Sequence, residues 1–267
     1  MNEDIVLQEV CVSFPQEQGE VLHQVSFTFP AQQTVAIIGE SGSGKSVLGK
    51  SLVGLLDRAE VSGRILYREK NLAGMRNGEL RAYRGQRIFF LPQDPALALN
   101  PALTIGEQLT EALEYHQGVA TGTARSQAEA ELVRYGFADG PRICRSYAFQ
   151  LSGGMQQRVL CAMASLLQPE WIIADEPTKG LDPALRYQVF ALFRQLTAAT
   201  RGGFILITHD LRLARRMSQQ LLVLKDGCVV ESGCTEKIFA RPEAAYTQAL
   251  VAASVWGERR MASGGPM

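Results

Sequence analysis

The octapeptide Gly39-Glu40-Ser41-Gly42-Ser43-Gly44-Lys45-Ser46 follows the apolar run Thr34–Ile38 and precedes SVLGKSLVGLL, whose apolar residues suit a buried helix. No other feature constrains the fold as much, because a loop of the form GxxxxGK[ST] needs a buried strand on one side and a helix start on the other. In that setting its glycines let successive backbone N–H groups curl around phosphate oxygens, and the helix N-terminus adds partial positive charge. Lys45 then reaches the β and γ phosphates of a nucleotide, and the Ser46 hydroxyl is offered to Mg²⁺. A glycine turn that binds nothing is the competing reading, and the flanking strand and helix count against it.

The rest of the chain alternates in the way such a loop requires. IVLQEVCVSF, VLHQVSFTF and TVAIIG read as three strands before residue 40, and VSGRILYR and RIFFL as two more. Residues 94–168 are richest in helix formers and poorest in strand signal, which predicts a helical insertion with helices over Thr104–Leu113 and Ser126–Tyr135. Thr104 and Glu107 have the spacing of a capping box. WIIAD and FILIT read as buried strands. Leu185, Val189, Leu192, Phe193 and Leu196 mark one helix face, and another helix is expected over about Leu211–Gln219. LLVLKDGCVVESG reads as a hairpin turning at Asp226-Gly227. Strands alternating with helices argue for an α/β fold with a mainly parallel sheet covered on both faces. The glycine-rich stretch after Trp256 has no pattern, so residues 257–267 are expected to be frayed.

A phosphate loop needs a second magnesium anchor, and Asp175 stands at the end of WIIAD, where open α/β sheets place ligands. It would hold Mg²⁺ through water, while Glu176, aimed differently, accepts a proton from the attacking water. Further polar residues also follow apolar strands. Gln93 comes after RIFFLP and senses nucleotide through Mg²⁺ or the water, and His209 comes after FILIT and offers a hydrogen bond to the γ-phosphate. Asp182 of KGLD lies just beyond the acidic pair. Phe14 is a candidate stacking surface for adenine, with a core phenylalanine as the competing reading.

A second glycine motif, LSGGMQQR from Leu151 to Arg158, has no use for a chain that already holds its own phosphate loop. Ser152 with the N–H groups of Gly153 and Gly154 at a helix start forms another anion site. GESGSGKS, Gln93, LSGGMQQR, WIIADE, KGLD and His209, in this order across nearly the whole chain, resemble the ATP-binding cassette (ABC) ATPases. The resemblance implies an ABC-type cassette of the P-loop NTPase class, with N-terminal antiparallel strands. Its single domain would cover residues 1–256: a RecA-like core at about 1–93 and 169–240, a helical subdomain at about 94–168 and a C-terminal helix at about 241–256. It implies ATP and Mg²⁺ as cofactors. Nucleotide contacts would extend from Gly39 through Val47 and include Asp182, with Ser46, Gln93 and Asp175 around the metal, and Lys45, Gln93, Glu176 and His209 in catalysis. In this family two cassettes pack head to tail, so Ser152, Gly153 and Gly154 would face a partner's γ-phosphate. PQDPALALNPALTIGEQL and RPEAAYTQALVAA further resemble segments of nickel, dipeptide and oligopeptide importer ATPases. The group's cysteine-rich C-terminal extension is absent from this sequence, which slightly favours the nickel or metallophore type; and TKGLD replaces the usual TTALD.

Composition narrows the partners. Lysine plus arginine (27) equals aspartate plus glutamate (27), so no overall charge seeks nucleic acid. Five cysteines without a CxxC pair fit reduced, cytosolic thiols. The acidic N-terminus lacks a secretory pattern, and no run of about 18 apolar residues suggests a spanning helix. The expected role is the ATPase of an importer at the cytoplasmic face of the membrane. Its expected partners are a related second ATPase, two permease subunits and an extracytoplasmic binding protein. A soluble ABC-type switch and an exporter ATPase are the alternatives. Nickel, a metal chelate and a short peptide are all open as cargo, and His23, His116 and His209 lack metal-ligand spacing.

Overall fold

Apolar alternation near the start of the chain becomes two antiparallel strands, β1 (Ile5–Ser13) and β2 (Glu20–Phe29). The computed structural model describes residues 3–15, 19–179, 190–197, 200 and 202–262. β3 (Thr34–Ile38) is buried at all of its positions, as expected of a central strand covered on both faces. The glycine loop follows, then helix α1 (Lys45–Ser51). This helix is shorter than its apolar pattern suggested. Gly54 turns left-handed (φ 61°), the Gly54 N–H donates to Ser51 O and the Leu55 N–H to Lys50 O, a turn that closes the helix before its apolar run is used up. β4 (Glu60–Tyr67) and β5 (Lys70–Asn71) complete an antiparallel sheet in the order β2-β1-β4-β5.

Two compact units divide the chain, one formed by Met1–Met75 with Ile205–Met267 and the other by Arg76–Phe204. The second unit opens with α2 (Asn77–Leu80) and β6 (Ile88–Leu91), followed by α3 (Ile105–Gln117), α4 (Thr121–Arg134), α5 (Gly140–Cys144) and α6 (Gly153–Leu167). Leu109 and Leu113 of α3, Ala124, Ala128 and Leu132 of α4, and Val159, Leu160 and Ala164 of α6 are buried, so these helices share one apolar interior. β7 (Trp171–Asp175) runs parallel to β6, with Leu91 opposite Ala174. Beyond it α7 is described over 190–197, where Phe193 and Leu196 are buried and Phe193 packs on Phe204 with ring centroids 5.8 Å apart. Leu185 and Val189, expected on the same helix face, lie outside the described residues.

Within β8 (Gly203–Ile207) the chain returns to the first unit. α8 (Leu211–Met217), β9 (Gln220–Lys225), β10 (Cys228–Cys234), α9 (Thr235–Ala240) and α10 (Ala245–Ala262) follow. β9 runs parallel to β3 and antiparallel to β10, and the unit's second sheet takes the order β10-β9-β3-β8. The hairpin turns at Asp226 (φ 46°) and Gly227 (φ 75°), the left-handed pair of a type I′ turn. α10 continues past Trp256 to Ala262, where an unpatterned tail was expected; Glu258, Arg259, Arg260, Met261 and Ala262 all favour helix. Among the described residues, no helix is long and apolar enough to cross a membrane.

The capping box at α3 is built as its spacing suggests. The Glu107 N–H donates to Thr104 Oγ1 at 3.3 Å, and the Thr104 N–H donates to Glu107 Oε2 at 2.6 Å. The hydroxyl of Thr104 and then its backbone N–H hold the Glu107 carboxyl below the usual range. Thr104→Ala is expected to cost about 1 kcal/mol in a urea unfolding titration.

Candidate nucleotide site

The loop between β3 and α1 is shaped by its lysine and by lack of space. Lys45 is 5% exposed, and its ammonium donates to Gly39 O (2.9 Å), Glu40 O (2.6 Å) and Ser43 Oγ (3.3 Å). The cation thus already rests on a ring of oxygens from its own loop, an arrangement that a phosphate can enter by exchanging anionic oxygens for carbonyls. Gly39 has φ 156°, and a Cβ there would run into Leu224 O and lie 2.7 Å from Ser43 Oγ, so only glycine fits. Gly44 caps α1 at φ 93°, and the Leu48 N–H donates to its carbonyl at 2.9 Å. The hairpin turn supports the loop from outside, the Gly227 N–H donating to Ser43 O at 3.3 Å. Glu40, Ser41 and Gly42 are exposed, and Ser46 and Val47 half-buried.

His209 belongs to the same unit. The Thr208 N–H donates to Ile37 O at 3.1 Å, which ties the end of β8 to β3 just before the loop. Asp210 then caps α8 by accepting the N–H groups of Arg212 and Leu213 at 2.9 and 3.1 Å. Between these two anchors the His209 side chain is exposed. Phe14, half-buried, stands just beyond β1.

The other unit brings a second set together. β6 and β7 are parallel and in register at Leu91 and Ala174, so Gln93 and the pair Asp175–Glu176 leave at the same strand end. Asp175 is 3% and Glu176 7% exposed, whereas Gln93 is exposed. Glu176 takes a left-handed backbone (φ 46°), which costs a non-glycine residue about 1 kcal/mol. The strand ends at Asp175, so the two neighbouring carboxylates leave backbones of different conformation.

In the same unit Ser152 caps α6, its hydroxyl accepting the Met155 N–H at 3.4 Å. Gln156 secures the preceding loop by donating to Ala148 O (2.8 Å) and Leu151 O (3.3 Å). Leu151, Gln156 and Gln157 are buried while Ser152 and Gly153 are exposed. Nothing lies within 4 Å of where a Cβ on Gly153 would be. The helix therefore presents its first N–H groups to the outside, beside Gly154. Asp182, expected to contact nucleotide, lies outside the described residues.

Each unit carries groups that fit ATP and Mg²⁺: the loop offers N–H groups and an ammonium to phosphate and the Ser46 hydroxyl to a hard cation, and in the other unit Gln93 and Asp175 carry hard oxygens of the kind Mg²⁺ takes. When bound, the ion neutralises charge that develops on the phosphate oxygens. Sequence reading did not find the Gly227 contact, since nothing in a hairpin turn announces which loop it will touch.

Residues 22–179 match the ABC transporter family. The dipeptide transport ATP-binding protein DppD of Bacillus subtilis is 39% identical over 94% of this chain and 76% of its own length. The peptidoglycan transport ATP-binding protein YejF of Agrobacterium fabrum is 36% identical, and there the chain spans 47% of its relative. A solved dimeric ATP-binding cassette in a post-hydrolysis state, bound to ADP and Pi, superimposes with a TM-score of 0.76 at 27% identity, covering 86% of this chain and 98% of that one. The fold is that of a P-loop cassette with a RecA-like, mainly parallel core, and the protein is an ATP hydrolase that uses ATP with Mg²⁺. The chain belongs to the ABC transporter family as one of its ATP-binding cassettes.

Proposed function

We propose that this protein is the ATPase subunit of an importer, working in a head-to-tail pair of cassettes beneath two permease subunits at the cytoplasmic face of a membrane. The observation that carries the reading is the outward-facing start of α6, where Ser152 and Gly153 are exposed and nothing crowds Gly153. A second anion-seeking helix start, separate from the chain's own phosphate loop, has a use when it closes on a partner's nucleotide. Each copy then contributes half of two pockets: Gly39 to Val47 with Phe14, Gln93, Asp175, Glu176, Asp182 and His209 for one ATP, and Ser152, Gly153 and Gly154 for the other. Within this scheme Lys45 binds the terminal phosphates, Glu176 takes the proton of the attacking water, and His209 donates a hydrogen bond to the γ-phosphate while orienting that base. The γ-phosphate is the contact that differs between closed and open pairs, so hydrolysis reopens the clamp.

The second ATPase is a related chain, and an extracytoplasmic binding protein delivers the cargo. We favour a short peptide or peptide-like molecule over nickel or a metal chelate, because the relatives carry dipeptide, peptidoglycan, oligopeptide and glutathione in their names. Purification from native membranes should recover a polytopic membrane partner, and a short peptide presented with the binding protein should raise the ATPase rate of that complex. Recovery of nucleic acid or a soluble scaffold instead would point to a switch protein. Stimulation by nickel alone would reverse the order of the cargo classes.

A further inference from the structure

The entrance to the phosphate loop has a partner from the far end of the chain. The Glu40 N–H donates to the Tyr246 hydroxyl at 2.9 Å, across 206 residues. We propose that Tyr246 is a positioning residue for nucleotide binding, its hydroxyl fixing the point at which the chain leaves β3 for the phosphate loop. This rests on the assignment of Gly39–Ser46 as the ATP site.

Tyr246 is itself held. It is the second residue of α10, and the carboxylate of Glu231 on β10 accepts the N–H groups of Glu243 and Ala244 just ahead of that helix, at 2.9 and 3.1 Å. Burial works against ionisation of Glu231, but hydrogen bonding, with the Glu243 N–H foremost, outweighs it and the carboxyl stays below its usual range. Gln248 Nε2 braces the same corner by donating to Pro242 O at 3.0 Å. The Lys225 ammonium lies 5.2 Å from the centre of the Tyr246 ring. Burial, ahead of the carboxylates of Glu40 and Asp226, raises the tyrosine's own pKa, so the hydroxyl keeps its proton.

The β9–β10 hairpin therefore grips the loop twice, directly where Gly227 donates to Ser43 O, and at the entrance through Glu231, α10 and Tyr246. A loop held in place before ATP arrives loses less conformational freedom when it binds. No substrate contact is needed for this effect. It acts through the backbone of Glu40.

The test uses the full chain with Mg²⁺-ATP. Tyr246→Phe should weaken ATP binding about fivefold, the scale of one net hydrogen bond, and speed amide exchange at Glu40 by a similar factor. KM for ATP should move more than kcat. Glu40→Pro removes the donor, so adding Tyr246→Phe to that variant should change affinity no further. Wild-type affinity in Tyr246→Phe, or an equal loss in the Glu40→Pro background, overturns the proposal. Lys45→Ala in the same assay separates the two ideas. An unchanged affinity there dismisses the octapeptide as the ATP site and this inference with it, whereas a loss there with none in Tyr246→Phe overturns this inference alone.

Discussion

Glu176→Gln is expected to bind Mg²⁺-ATP as the wild type does and to hydrolyse it at least about 100-fold more slowly, the usual contribution of a positioned general base. The substitution keeps size and hydrogen-bonding capacity and removes only the ability to take a proton. Burial at 7% exposure and the left-handed backbone at φ 46° set this residue apart from a solvated strand end. Strain of this kind persists where surrounding structure overrides local preference. Single-turnover hydrolysis in the assembled complex, measured beside equilibrium binding of ATP, separates chemistry from affinity. Turnover near the wild-type rate would remove Glu176 from the role of base.

Lys45→Ala should act on the other quantity, lowering ATP affinity by at least about tenfold, since charge-assisted bonds to phosphate are worth about twice neutral ones. Its ammonium also holds the loop closed through Gly39 O, Glu40 O and Ser43 Oγ, so the empty loop of the variant should exchange its amides faster. Titration calorimetry with ATP and hydrogen exchange without it read these two effects separately. Lys45→Arg should not restore binding, because a planar guanidinium cannot occupy the compact space the ammonium fills at 5% exposure. Wild-type affinity in Lys45→Ala would reject the lysine as a phosphate ligand.

Local signals carried well from sequence to structure. Thr104 and Glu107 close their capping box, Asp226-Gly227 turns its hairpin, and Ser152 caps α6. Each of these depends on residues within a few positions of one another, where hydrogen-bond geometry follows spacing. Continuous apolar runs likewise became the fully buried strands β3, β7 and β8. Helix length was less legible. The apolar residues after Ser51 continue the pattern of α1, yet the chain turns at Gly54, because backbone conformation at one glycine outweighs the periodicity beyond it.

What the sequence by itself determined is therefore the set of local devices: a glycine loop between strand and helix, carboxylates at a strand end, and a second capped helix start. What only the tertiary structure decided is how the first of these is held. Nothing near residue 40 announces Tyr246, and nothing near residue 43 announces Gly227, yet both meet the phosphate loop. The reason is physical. Contacts between distant segments are set by how β9, β10 and α10 pack as whole elements, and a tyrosine in the sequence carries no mark of the N–H group its hydroxyl will find.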